Sequence, residues 1–261
     1  MLGKLNRGFE SHPLRHPSHS HIQVKMSISE NIHFAVRDAG EVSAILLRPQ
    51  NAESLLVLAH GAGAGMTHPF MESLASELSA ARVATLRFQF PYIEQRRKIP
   101  DRPPVLTATI LAAVRAASEA APDLPLFAGG KSLGGRMTSL AAAQNTLDGL
   151  RGLVFFGFPL HPPNKPGTKR AEHLSDVRLP MLFFQGTRDP FADLKLLRPI
   201  CAELGARVTL YVIETADHSF HVLKNSGKTD GGIMQELART TAKWIRQEIT
   251  IRSLGEARAP R

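Results

Sequence analysis

Apolar residues in this chain gather into short unbroken runs separated by longer stretches of helical spacing, and that alternation sets the architecture. Leu55-Leu56-Val57-Leu58-Ala59 and Met181-Leu182-Phe183-Phe184 are apolar without period-two alternation. Such runs, closed by glycine or turn residues, mark strands buried on both faces of a parallel sheet. Val208 to Ile213 is rich in β-branched residues and contains Tyr211, which also favours a strand. Strands are predicted near 31–37, 42–48, 54–59, 83–90, 124–129, 152–158, 180–185 and 208–214, the first two as an antiparallel edge. Helices are predicted near 69–81, 104–121, 135–146, 191–204 and 232–250. Pro103 and Pro104 suit the start of the second helix, because the first turn has no use for their missing N–H groups. Alternating strands and helices predict one α/β domain, a mostly parallel sheet with helices on both faces.

One predicted strand-to-helix junction carries chemistry. Gly130-Lys131-Ser132-Leu133-Gly134 lies between the apolar run Leu124 to Ala128 and the helical run Met137 to Asn145. A chain that turns from strand to helix within five residues is crowded, so glycine two positions either side of Ser132 avoids Cβ clashes and leaves the hydroxyl clear of the sheet. Downstream, Asp189 follows the strand ending at Gln185, and Asp217-His218 follows the strand ending near Ile213. Ser132, Asp189 and His218 therefore occur in the order nucleophile, acid, base, each just past a predicted strand. Two competing assignments exist for the acid. Asp189, next to Pro190, also fits as the N-cap of the helix predicted at 191–204. Asp217 is adjacent to His218, but neighbours on an extended loop point in opposite directions, so Asp189 is preferred.

A further small-residue loop, His60-Gly61-Ala62-Gly63-Ala64-Gly65, follows the strand at 54–59. Its backbone N–H groups can face a ligand, and the expected oxyanion donors are the amides of Ala62 and Leu133. It does not match a phosphate loop, lacking both G-x-x-x-x-G-K-[ST] and G-x-G-x-x-G.

These strings, with Leu86-Arg87-Phe88-Gln89-Phe90-Pro91-Tyr92, Phe156-Gly157-Phe158-Pro159-Leu160-His161-Pro162-Pro163 and Gln185-Gly186-Thr187-Arg188-Asp189-Pro190-Phe191, resemble the small α/β-hydrolases related to the hydrolase-like domain of NSL complex subunit three and to dienelactone hydrolases. The resemblance runs from about Leu55 to Ile249. It implies a single-domain α/β-hydrolase fold with little or no lid, and a serine hydrolase acting on a carboxylic ester or related acyl compound. Dienelactone hydrolases carry a cysteine where Ser132 stands, which argues against carrying their substrate over. The competing class is a non-catalytic binding or scaffold protein of the same fold, as the chromatin-complex relative suggests. No cofactor or metal is implied.

Composition adjusts this picture at the margins. The 261 residues are 43% hydrophobic, enough for one sizeable core, and no apolar run approaches the ~18 residues of a membrane span. A cytoplasmic protein is expected. The single cysteine, Cys201, has no motif around it, so disulfides and zinc sites are not expected and a buried small residue is. Met1 to Lys25 contain four histidines among prolines without periodicity, and a disordered tail is expected there. Gly8-Phe9-Glu10-Ser11 is also what GGN-TTC-GAA-TCN encodes, as in the T-arm of a transfer-RNA gene, so translation is expected to begin at Met26. Loss of Lys4, Arg7, Arg15, Lys25 and Glu10 would take the formal charge from +9 to +6.

The basic residues are scattered, and only Arg96-Arg97-Lys98 forms a run, without aromatic interleaving, so nucleic-acid binding is not expected. Lys131 and Arg188 flank two of the candidate catalytic residues, and Arg96 to Lys98, Lys165, Lys169 and Arg170 fall in loops at the carboxyl ends of strands, where open α/β sheets bind ligands. An anionic acyl substrate contacted by Lys131 and Arg188 is therefore expected, with 91–103 and 159–178 as the segments able to cover the site.

Overall fold

The computed structural model describes residues 27–258 apart from Asn145, Thr146 and Asp148, so the expectations for Met1 to Lys25 and for the start at Met26 lie outside the described residues. The strands are β1 (Ser27–Val36), β2 (Gly40–Pro49), β3 (Ser54–Ala59), β4 (Val83–Phe88), β5 (Leu126–Lys131), β6 (Leu150–Phe156), β7 (Met181–Gly186) and β8 (Val208–Ile213). They form one eight-stranded sheet in the order β1-β2-β4-β3-β5-β6-β7-β8. The β1–β2 and β2–β4 pairs are antiparallel, and every pair from β4 to β8 is parallel.

The helices are α1 (Pro69–Ala80), the single turn α2 (Pro91–Glu94), α3 (Pro103–Ala120), α4 (Leu133–Ala143), α5 (Leu194–Leu204) and α6 (Asp230–Arg258). Helices cover both faces, so β3, β4, β5 and β7 are buried at every position, which is why their sequences do not alternate. Side-chain alternation instead splits the core in two. Leu56, Leu58, Phe156 and Phe184 meet α1 and α6, while Leu55, Val57, Phe155 and Phe183 meet α3, α4 and α5.

Three boundaries differ from expectation in ways that matter below. Helix α4 begins at Leu133, directly after Ser132, two residues earlier than predicted. Helix α5 begins at Leu194, three residues later than predicted, and its cap is Asp193, which accepts from the Lys195 N–H at 2.8 Å. Asp189 is therefore free of capping duty. The segment 169–176, read as loop, forms 3-10 turns packed on α4 through a 2.7 Å bond between Ser139 Oγ and His173 Nε2. Cys201 is buried, and burial pushes its thiol up to about 11. Among the described residues no helix is long and apolar enough to cross a membrane.

Candidate active site

Ser132 occupies the turn between β5 and α4 with φ 52° and ψ −117°, a conformation that a non-glycine residue holds only when its surroundings enforce it. The surroundings are tight. A Cβ on Gly130 would stand 2.3 Å from the Ala59 carbonyl oxygen, and one on Gly134 would stand 2.4 Å from the same atom. The two glycines thus let β5 and α4 close on the end of β3, and the Ser132 N–H donates to Phe156 O at 3.1 Å, tying the turn to β6.

The loops after β7 and β8 complete the arrangement. Ser132 Oγ lies 2.9 Å from His218 Nε2, and His218 Nδ1 lies 2.7 Å from Asp189 Oδ2. An ionised carboxylate only accepts, so Nδ1 carries the imidazole proton and Nε2 accepts from the serine hydroxyl. The Asp189 side chain is fully buried and takes two further bonds, from Gln185 Nε2 to Oδ2 at 2.5 Å and from the Phe191 N–H to Oδ1 at 2.8 Å. The Phe191 ring packs on the imidazole, centroids 4.4 Å apart. Asp217 serves a different purpose. Its Oδ1 accepts from the N–H groups of Ser219 and His221, at 2.8 and 3.0 Å, and so shapes the loop that presents His218.

On the opposite side stands the loop after β3. His60 is buried. Its Nε2 accepts from the Phe90 N–H at 3.1 Å, leaving Nδ1 to donate to Gly61 O at 2.8 Å. Burial is the main reason its pKa is pushed down to about 4, so the ring stays neutral in this role. In a trans peptide the N–H points away from the C=O, so anchoring the Gly61 carbonyl to His60 turns the Ala62 N–H outward, where Ala62 lines a cavity. The Leu133 N–H opens the first turn of α4, where no intrahelical acceptor exists. His60 and Gln185 had no spacing signal in the sequence; only the strand-end position of each was visible.

The cavity beside Ser132 measures about 730 Å³, a size suited to a small organic ligand. Ala62, Ala64, Phe70, Met71, Phe191, Phe220 and Met234 give it an apolar wall, and His68, Glu77, His221 and Asp230 add polar groups. The segments expected to cover the site do not line it, because Tyr92, Leu160 and Leu174 anchor them in the core; α1, the 218–221 loop and the start of α6 form the walls instead. Arg188 is exposed and donates to Thr215 O at 3.1 Å, away from the cavity. Arg96 to Lys98, Lys165, Lys169 and Arg170 do not line it either. Of the expected cations only Lys131 does, and its Nζ is already bonded to His218 O at 2.6 Å. Apart from Lys131, the basic residues expected to draw an anionic substrate are thus absent from the wall.

A mostly parallel sheet with helices on both faces, a strained serine between strand and helix, and a histidine that reaches it from a buried aspartate define an α/β-hydrolase. The chain belongs to this family: the model of the alpha/beta hydrolase domain matches residues 52–246. Solved structures share the fold. The dienelactone hydrolase of Anabaena variabilis is similar with a TM-score of 0.67 at 20% identity, over 85% of this chain and 98% of that one. A serine hydrolase without a lid from Xanthomonas campestris gives 0.65 at 18% identity, covering 83% and 94%. Est1E of Butyrivibrio proteoclasticus gives 0.63 at 15% identity, covering 84% and 99%.

Proposed function

We propose that the protein is a serine hydrolase that cleaves a carboxylic ester or a related small acyl substrate. The observation that carries this reading is the unbroken relay from Ser132 Oγ through His218 to buried Asp189 at the wall of an apolar cavity. Ser132 attacks the acyl carbon while His218 Nε2 takes its proton and later returns it to the leaving group. Asp189 fixes the Nδ1–H tautomer and stabilises the imidazolium that forms. The Ala62 and Leu133 amides hold the oxyanion. Water, deprotonated by His218, then releases the acyl group and restores Ser132.

The largely apolar cavity wall favours a neutral acyl chain of small or moderate size, since Lys131, the one expected basic residue on it, is already bonded to His218 O. The finer kinship with the hydrolase-like domain of NSL complex subunit three rests on the motif strings alone. A fluorophosphonate should modify Ser132 in the folded protein and leave Ser132→Ala unlabelled, and turnover of a short-chain aryl ester by that variant should fall by roughly 10⁶-fold. Absence of labelling in the native protein would favour the non-catalytic scaffold instead.

A further inference from the structure

Lys131 ends β5 immediately before Ser132, yet its side chain crosses to the loop that carries the imidazole. Nζ donates to the backbone carbonyl of His218 at 2.6 Å, and the residue is only 9% exposed. The rings of Phe70 and Phe220 flank the ammonium with centroids at 5.6 and 5.7 Å, a placement favourable to a cation. A Cβ on Gly157, where φ is 70°, would stand 3.2 Å from Lys131 Nζ and 3.3 Å from His218 Nδ1. The two nitrogens therefore border one gap that only glycine leaves open. Burying an ammonium is unfavourable, and a methionine would fill the same space without that penalty, so the charge needs a reason.

Building on the serine-hydrolase reading, we propose that Lys131 is a positioning residue for His218. Its hydrogen bond to the His218 carbonyl sets the height of the imidazole between Ser132 and Asp189. The charged groups facing it are Asp189 after β7 and Asp217 after β8, while α1 presents Phe70. Asp189 and Asp217 hold the ammonium in its charged form against the burial that brings it down to about 8. At neutral pH it is mainly charged, which strengthens its hydrogen bond to the His218 carbonyl.

The test is the steady-state rate on a neutral ester with Lys131→Met, Lys131→Gln and Lys131→Arg. Methionine removes the donor, so kcat should fall up to about 10²-fold with KM little changed. Glutamine and arginine keep a donor and should retain most of kcat. Native kcat in Lys131→Met would overturn the proposal, as would a loss confined to thermal stability. If KM for a carboxylate-bearing ester alone rises while kcat on the neutral ester stays fixed, Lys131 binds substrate and the positioning role is wrong. Should Lys131→Met not fold, the Gln and Arg variants decide, and a kcat lost equally in both would overturn the proposal. The NMR resonances of the His218 ring should move between the native protein and Lys131→Met; that comparison needs no turnover, so it tests this inference even if fluorophosphonate labelling fails and the hydrolase reading falls.

Discussion

At Asp189 three donors converge on one carboxylate: Gln185 Nε2, the Phe191 N–H and His218 Nδ1. An asparagine there would bring its own N–H₂ into a site already crowded with donors and would favour the imidazole tautomer that cannot accept from Ser132. Asp189→Asn should keep the fold and lower kcat about 10⁴-fold, the size of the equivalent loss in the best-studied serine protease. Asp217→Asn should cost less than about tenfold, because an amide oxygen can still accept from the Ser219 and His221 N–H groups. Steady-state rates on one ester decide between them, and a reversed order would reassign the acid. Sequence preferred Asp189 over Asp217, and it is Asp189 whose carboxylate meets His218 Nδ1, at the end of β7. It read Lys131, beside Ser132, as a substrate contact; the bond to His218 O, 87 residues away, is one that no local pattern reports. His60 escaped notice for a similar reason, its partner Phe90 lying 30 residues away, whereas Gln185 read only as the last residue of a buried strand.

Among elements, the turn between β5 and α4 tolerates little change. A Cβ on Gly134 would meet the backbone oxygens of both Ala59 and His60, at 2.4 and 2.7 Å, so α4 must move outward or the end of β3 must yield. Either response displaces Ser132 from His218 or tilts the Gly61–Ala62 peptide. Gly134→Ala should destabilise the protein by roughly 1 to 3 kcal/mol and sharply slow fluorophosphonate labelling of Ser132. Gly167→Ala, with nothing within 4 Å of the added carbon, is the matched control and should alter neither. Labelling at the native rate in Gly134→Ala would show that the packing seen at this turn is not what poises the serine. The long elements were legible because burial on one or two faces writes a period into the residues. Helix α5 was misplaced at its start because Asp189-Pro190 and Asp193 are both good opening signals, and only the sheet decides which aspartate is needed elsewhere. The turn at Pro91–Glu94 and the 3-10 segment at 169–176 are too short to show a period, and the cavity walls were misassigned because Tyr92, Leu160 and Leu174 pull those segments into the core.

For the whole molecule, acid is the condition to which the buried histidines respond most. His60 is held neutral by burial with a pKa of about 4, and His173 is lowered to about 4 by burial and by Arg136. In the unfolded chain both titrate near 6.5, so as pH falls below about 6.5 the unfolded state gains protons that the native state refuses. Stability should be flat in this respect above about pH 6.5 and decline steadily down to about pH 4. For fully buried His60 alone the loss is on the order of 3 kcal/mol, a large part of a typical domain's margin. His173 adds to it in the same direction. His221 works the other way, since its bond to Asp230 holds its pKa up, but that pair is exposed and screened, so its offset is small. Urea unfolding between pH 7.5 and 5 should therefore show a midpoint that falls with acidification, in a window above the range where the carboxylates take over. Activity should follow, because protonated His60 can no longer accept from the Phe90 N–H, so the ring that holds the Gly61 carbonyl loses its own backbone support. Equal midpoints at pH 7.5 and pH 5 would mean that these rings protonate freely in the native state. The oxyanion loop would then owe its shape to its glycines and not to His60.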